Sequence, residues 1–345
     1  MVPGDSSMTA AWAAAWRLLQ QPAPKRADPG SVRPVRVGQV NLGFGAPVSG
    51  AWATPANLAS FAIAAEQAGY TTLWSFQRLL IPSGSSMDPV YQSVLDPMAA
   101  LAYAAAVTSR IRLGVALINM PFVSPGYLAK QAASLDVLSA GRHDLGLGIG
   151  WMPEEFALTG ASMSRRGARA GEYVAVLRSL WGAGDSEYDG EFYQIPRGTM
   201  APKPVQPGGP PVLLGGMAQA ALERIGQIAD GWLTSSRTDL SKIGAGIAAI
   251  RHAAAAAGRD PDALRIVCRG VVRAGAEVPG RDGSRLLLSG SYEQIRADAD
   301  WLGQQGVTEI FYDLNWDPQV GAPDADPAAA TSRAAEILQA LSPVA

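Results

Sequence analysis

Residues Gly146 to Phe156 read GLGIGWMPEEF and join the end of an apolar run to a tryptophan and two acids. Glycine has no Cβ, so Gly146, Gly148 and Gly150 let a flat ligand or a phosphate approach the backbone closely. The triplet is not the dinucleotide-binding pattern GxGxxG, and close packing of a strand against a helix is an alternative reason for it. The stretch predicts a buried strand that ends at a binding site.

Similar apolar runs recur from Val35 onward and alternate with helical stretches at intervals of roughly 30 to 40 residues, which is typical of repeated βα units around a parallel sheet. In a chain of 345 residues, eight such strands predict an α/β protein that closes into a (β/α)8 TIM barrel. The predicted strands span Arg36–Leu42, Thr71–Phe76, Arg112–Asn119, Arg142–Ile149, Pro211–Gly215, Gly231–Ser235, Arg265–Val272 and Glu309–Asn315.

Helix signals are clearest after the first predicted strand. Thr54 can cap a helix, Pro55 suits its first position, and Gly69 can end it. Further helices are predicted for residues 95–107, 125–138 and 167–181.

The predicted barrel occupies residues 35–345 as a single domain, and residues 1–34 form an N-terminal extension. The extension lacks the basic start and long apolar core of a signal peptide. It is interpreted as a partly helical appendage, or as the result of a misassigned start codon. Residues 182–210, rich in Gly, Pro and acids, predict a loop or short hairpin that covers the barrel mouth near its carboxyl-terminal face.

Composition excludes several classes of protein. Twenty-eight basic and thirty acidic residues give a net charge of -2, which offers no broad surface for nucleic acid or an anionic membrane. The histidines His143 and His252 and the single Cys268 are too few for a His/Cys zinc site or a Ser-His-Asp triad, so no metal site is predicted. His143 and Cys268 are interpreted as core residues.

The expected partner is therefore a small molecule. No apolar run approaches the roughly 18 residues that a membrane span requires. A single cysteine inside an apolar run fits a reducing compartment, so a cytoplasmic location is expected.

Ligands of such barrels bind at the carboxyl ends of the strands, so the residues just after each predicted strand are the candidates for a site. They are Ser75, Gln77 and Arg78 after the second strand, Asn119 and Met120 after the third, Gly150 to Glu155 after the fourth, Gly215 to Met217 after the fifth, and Ser235 to Arg237 after the sixth.

From about residue 35 to 316 the chain resembles the bacterial luciferase-like monooxygenase superfamily, and within it the coenzyme F420-dependent oxidoreductases. The joint occurrence of six blocks makes the resemblance specific. In chain order they are LAYAAAVTSRIRLGVAL, LAKQAASLDVLSAGRHDLGLGIGWMPEEF, RRGARAGEYVAVLRSLW, YDGEFYQI, PPVLLGGMAQAALERI and ADGWL.

The resemblance implies a flavin or deazaflavin ring that lies over the strand ends, against a bulge after the third strand. Relatives often hold a non-prolyl cis peptide in that bulge, here Ala116-Leu117, with an ordinary trans strand as the alternative. The cofactor phosphate is expected where a strand feeds a helix beginning near Ala218, because bare amides and the positive helix end favour an anion. Cofactor contacts are expected from Ser75, Ala116, Leu117, Asn119, Gly148, Gly150, Glu154, Gly215, Gly216 and Met217.

One departure from the resemblance concerns the reaction itself. Many similar deazaflavin enzymes carry Asp-His after the second strand, whereas this chain has Gln77-Arg78. Arg78 stays charged at ordinary pH and cannot easily donate a proton, but it could bind an anionic substrate or stabilise negative charge. Gln77 and Arg78 are therefore the candidate catalytic residues, with Asn119 as a polar guide.

Three neighbouring residues have structural interpretations. Trp151 is expected to roof the barrel, and Glu155 is expected to pair with an arginine such as Arg166 or Arg169. Glu172 lies one helical turn after Arg169, a spacing that predicts an ion pair anchoring the helix.

The sequence leads to one main hypothesis, which is hydride transfer between coenzyme F420 and an unidentified organic substrate. The alternatives are an FMN- and O2-dependent monooxygenase supplied by a separate flavin reductase, and a catalytically silent flavin-binding protein. A homodimer is expected, because relatives pair through helices near the second and third strands, where this chain carries the Ala-rich faces AALAYAAAV and AKQAASL.

Overall fold

The computed structural model describes residues 40–280 and 283–343, and the predicted extension at residues 1–34 lies outside them. Each barrel strand pairs in parallel with the next one along the chain, and the last pairs with the first. The predicted (β/α)8 barrel is thereby confirmed. The strands, numbered β1 to β8, are Asn41–Gly45, Thr72–Ser75, Arg112–Asn119, His143–Gly148, Val212–Gly215, Gly231–Leu233, Arg265–Val271 and Glu309–Asp313.

Helices follow the strands and cover the outside of the barrel. The Thr54 side chain accepts a hydrogen bond from the Asn57 amide and caps the first helix, as predicted. No helix in the described ranges is both long and apolar enough to cross a membrane. The helices, numbered α1 to α9, are Pro55–Gln67, Pro97–Val107, Pro125–Leu138, Pro153–Thr159, Arg166–Trp181, Gln219–Ile228, Ile243–Ala256, Tyr292–Gln304 and Pro327–Ala340.

The predicted bounds of the first strand, residues 36–42, are wrong at the carboxyl end. Strand β1 continues through Gly43 to Gly45, and residues 36–39 lie outside the described ranges. A Cβ on Gly43 would lie only 3.0 Å from the Phe311 Cβ of the adjoining strand β8. These glycines therefore belong inside the strand, because the barrel interior is filled by side chains of its neighbour.

Charged side chains close the amino-terminal end of the barrel. Asp144 is fully buried and pairs with Arg265 at 2.9 Å and with Arg112 at 3.0 Å, while Arg265 also reaches Glu309 at 3.1 Å. Burial opposes ionisation of Asp144, but the Arg265 and Arg112 guanidinium groups outweigh it and hold the pKa of this carboxyl well below its ordinary value. The carboxyl-terminal end of the barrel is left for a ligand.

Two residues interpreted as core are fully buried. Cys268 lies inside β7, and burial raises the pKa of its thiol well above the ordinary value. His143 begins β4, its Nδ1 lies 3.0 Å from the Leu113 carbonyl oxygen, and burial lowers its pKa. Both core interpretations are confirmed.

The segment between α5 and β5 forms the predicted hairpin, with antiparallel strands Ser186–Asp189 and Gln194–Gly198. Its tip lies beside the first turns of α5, at the carboxyl-terminal side of the barrel. Farther along, the Val205 amide donates to Asp136 on α3 at 2.7 Å. These contacts fix the segment against the outer helices α5 and α3, and the hairpin tip lies near the carboxyl-terminal face, as predicted.

The predicted Arg169–Glu172 ion pair is wrong. The Glu172 carboxylate accepts hydrogen bonds from the Glu191 and Phe192 amides at 2.9 and 2.8 Å. Arg169 instead lies over the Phe192 ring, with its guanidinium carbon 5.5 Å from the centroid. The backbone amides at the hairpin tip therefore bind the Glu172 carboxylate, for which helical spacing had predicted Arg169 as the partner.

Candidate active site

The floor of the barrel mouth is formed by a bulge in β3. The pairing of β3 with β4 shifts register between Val115 and Ile118, and the Ala116-Leu117 peptide bond there is cis, as the resemblance implied. The half-buried Leu117 side chain rests on the ends of the next two strands. A Cβ on Gly148 would lie 3.1 Å from Leu117 Cδ1, and one on Gly215 would lie 2.6 Å from it. The glycines leave room for this side chain, which forms an apolar floor.

Polar groups border the floor on the β2 side. The Gln77 Oε1 accepts hydrogen bonds from the Asn119 amide at 3.0 Å and from Asn119 Nδ2 at 3.4 Å. The structure therefore brings Gln77 and Asn119 together. Ser75 is not brought to them, because its hydroxyl is buried and faces the Pro97 and Gly114 carbonyl oxygens at 3.5 and 3.4 Å.

Arg78 forms a buried ion pair across the mouth. Its guanidinium lies 2.9 Å from the Glu155 carboxylate, and the two side chains are only 6% and 1% exposed. The expectation that Glu155 pairs with Arg166 or Arg169 is wrong, because the first turn of α4 points this acid inward to Arg78. The same carboxylate accepts a hydrogen bond from the Leu79 amide at 2.9 Å and so holds the loop after β2 in place.

Two aromatic rings flank the Arg78 guanidinium at the barrel mouth. Its central carbon lies 4.3 Å from the Tyr91 ring centroid and 5.3 Å from that of Trp151. Trp151 therefore covers Arg78 while staying half exposed itself. Since Glu155 neutralises its charge, Arg78 presents no free cation to a substrate in this structure.

The loop after β5 is suited to a phosphate. Trp232 Nε1 donates to the Gly216 carbonyl oxygen at 2.9 Å and fixes the loop. Met217 is exposed, and α6 begins directly afterwards with Ala218 at its N-cap, where no side chain caps the helix. Uncapped amides and the positive helix end together favour an anion.

The two remaining candidates follow β4. Gly150 has a φ of +70°, and a Cβ there would lie 2.9 Å from a carbon of the Phe156 ring. Packing therefore accounts for this glycine. Glu154 is exposed in the first turn of α4, where a carboxylate interacts favourably with the helix dipole.

The prediction from sequence missed Arg269, which lies beneath the bulge. Its Nη1 donates to the Ala116 carbonyl oxygen at 3.2 Å, and its Nε pairs with Asp313 at 2.7 Å. The guanidinium carbon lies 4.0 Å from the Trp316 ring centroid. An arginine inside the apolar run RIVCRGVV was the available signal, because a buried charge needs a partner.

Comparison with known proteins places this architecture in a family. A family model described as "Luciferase-like monooxygenase" matches residues 36–307, which include every candidate site residue. The chain belongs to the luciferase-like monooxygenase family. The resemblance drawn from the six sequence blocks is confirmed.

This luciferase-like chain is similar to an uncharacterized protein of Mycobacterium tuberculosis, with 36% identity over 219 residues, 60% of this chain and 76% of that one. The structure of the monooxygenase RslO1 from Streptomyces bottropensis matches with a TM-score of 0.69 and 23% identity, covering 87% of this chain and 98% of that one. An F420-dependent secondary alcohol dehydrogenase matches with a TM-score of 0.69 and 16% identity, covering 88% and 99%. These structural matches show the shared fold.

Proposed function

We propose that this protein is an oxidoreductase that transfers hydride between coenzyme F420 and an organic substrate at the barrel mouth. One observation carries the proposal. The Leu117 floor lies between the paired Gln77 and Asn119 on one side and the uncapped Gly215–Met217 loop on the other. A ligand with a flat ring and a phosphate matches this order, and a bound deazaflavin would supply or accept the hydride.

The protein contributes binding and orientation. Leu117 would support one face of the ring, Asn119 held by Gln77 would meet its edge, and the amides near Met217 would hold the phosphate. The ion pair with Glu155 neutralises the charge of Arg78. Arg78 would therefore influence a bound substrate only as a member of this pair, and not as a free cation. Gln77 and Arg78 therefore orient groups in this proposal and transfer no proton.

An FMN- and O2-dependent monooxygenase, supplied by a separate flavin reductase, is the second candidate. The Gln77-Arg78 pair in place of Asp-His favours it, because the acid and base of the similar deazaflavin enzymes are replaced. Turnover separates the two candidates. Substrate conversion with reduced F420 under anaerobic conditions supports hydride transfer, whereas conversion only with reduced FMN and O2 supports the monooxygenase.

Cofactor binding tests the phosphate loop directly. Ala218→Asp supplies a cap to α6 but puts a negative charge where the phosphate would lie, and Ala218→Asn supplies the cap without the charge. We expect the Asp variant to weaken F420 or FMN about tenfold or more relative to the Asn variant, and to leave riboflavin, which has no phosphate, unchanged. Fluorescence titration measures both.

The outcomes of this titration divide the hypotheses. Preference for F420 supports the first candidate, and preference for FMN supports the second. Tight binding of either cofactor without turnover across a broad substrate panel favours a catalytically silent binding protein. If the Asp and Asn variants change the affinities for FMN and riboflavin equally, the loop of residues 215–217 does not bind the phosphate. If neither F420 nor FMN binds, the proposed cofactor site is rejected.

We further propose that two copies of the chain pair through α2 and α3, in a cytoplasmic setting. Exposed apolar side chains concentrate on these helices, among them Tyr103, Tyr127 and Leu138, the last of which is 69% exposed. Exposed apolar surface of this kind is typical of a protein interface. A second copy would cover it symmetrically.

A further inference from the structure

Four side chains form a continuous stack along the rim of the barrel mouth. Tyr91 lies 4.3 Å from the Arg78 guanidinium carbon, and Arg78 lies 5.3 Å from the Trp151 ring centroid. On the Trp151 ring lies a second guanidinium, that of Arg237, with its carbon 5.2 Å from the centroid. The stack therefore runs from the loop after β2 to the loop after β6.

The two arginines of this stack differ in their charge balance. Arg78 is buried against Glu155, and the ion pair neutralises it. Arg237 is exposed, and it forms no ion pair within residues 40–280 and 283–343. Its neighbour in sequence, Asp239, is engaged by Lys242 at 3.4 Å. Arg237 is thus the uncompensated cation of the stack.

Exposed apolar surface adjoins this cation. Trp151 is 48% exposed and Met217 is 56% exposed, although large apolar side chains are usually buried. The Met217 sulfur lies 3.5 Å from the Thr238 Oγ1, so the loop that carries Arg237 borders the loop after β5. An aromatic ring and a thioether beside a free guanidinium suit a flat apolar body that carries an anionic group.

We propose that Trp151 and Arg237 form the substrate-recognition site, and that the substrate is a planar organic anion. Its apolar body would lie on Trp151 and Met217, and its carboxylate would meet the Arg237 guanidinium. This inference rests on the proposed function, in which the loop of residues 215–217 already accommodates the cofactor phosphate. The anion at Arg237 is therefore assigned to the substrate.

The test compares 2-naphthoate with 2-naphthamide, which share a body and differ in charge. Calorimetric titration of the full chain should give a preference for naphthoate of about threefold to tenfold that falls as salt is added. Arg237→Gln should abolish the preference and Arg237→Lys should retain part of it. Arg110→Gln, at an arginine 65% exposed at the opposite end of the barrel, should leave it unchanged.

Trp151→Leu tests the apolar half of the site. Because Trp151 is exposed, its replacement leaves the core intact, and we expect weaker binding of both ligands by a similar factor. The two variants should therefore differ in their effects. Arg237→Gln should change the ratio of the naphthoate and naphthamide affinities, whereas Trp151→Leu should lower both affinities together.

Two outcomes would overturn the inference. One is an unchanged naphthoate preference in Arg237→Gln. The other is weaker FMN binding with riboflavin unaffected in that variant, which would assign Arg237 to the cofactor phosphate. Failure of F420 and FMN to bind would reject the proposed function separately, since the naphthoate pair is also titrated against the cofactor-free chain.

Discussion

At the scale of single residues, the buried Arg78–Glu155 pair fixes what the mouth can offer to a ligand. Glu155→Gln would keep an acceptor for the Leu79 amide but leave Arg78 charged and unpaired. Since removing one partner of a buried pair is costly, we expect the free energy of unfolding to fall by about 3 to 5 kcal/mol. Urea unfolding measures the change.

The control for this prediction removes the charge as well. The double variant Arg78→Met with Glu155→Gln should be more stable than the sum of the two single changes implies, because no unpaired charge remains. Strict additivity would show that the two side chains are not energetically coupled and would contradict the prediction.

At the scale of elements, Glu172 joins the hairpin to α5. Glu172→Ala removes the acceptor of the Glu191 and Phe192 amides, at a cost of about 1 to 3 kcal/mol. We expect faster hydrogen exchange over residues 186–198, with the barrel strands still protected. Glu187→Ala, at an exposed acid in the same hairpin, is the matched control and should change little. Uniformly faster exchange in the whole barrel would be the contrary result.

At the scale of the whole molecule, the network around Asp144 links stability to pH. Its pKa is lowered on folding, so its contribution is fully present above the unfolded value of about 4 and is lost as the pH falls below it. Asp144→Asn should lower the free energy of unfolding at pH 7 by about 3 kcal/mol or more and flatten its decline as the pH falls below about 5. Parallel urea-stability curves of the two proteins would refute this.

Assembly is the second property at this scale. Leu138→Arg puts a charge into the apolar face of α2 and α3, and we expect it to convert a dimer into monomers. Leu158→Arg, at a leucine 58% exposed on α4, should leave the dimer intact. Light scattering after size-exclusion chromatography measures both masses, and an unchanged mass for Leu138→Arg would argue against this interface.

The sequence predicted those features that depend on local pattern. Strand β3 and helix α3 have the predicted bounds, because a continuous apolar run and a Ser-Pro helix start are visible within a few positions. The glycines of β1 were misjudged, since only the neighbouring Phe311 shows why they belong in a strand.

Pairings between distant elements were beyond such patterns. Glu155 pairs with Arg78 from another loop of the barrel, whereas sequence spacing offered only the nearby arginines. Likewise, Arg269 reaches the Ala116 carbonyl oxygen across the barrel interior. Which side chains pair within the site depends on closure of the barrel, and closure cannot be predicted from any short segment of sequence.

The burial of Cys268 gives this protein a practical advantage. The chain has a single thiol, and it lies in β7 with a raised pKa, so the native protein should react slowly with a disulfide reagent. Labelling of that thiol would then report global opening of the barrel, read by the absorbance of the thiolate that a chromogenic disulfide reagent releases. For the same reason, one cysteine introduced on the surface would accept a spectroscopic probe at a single known position.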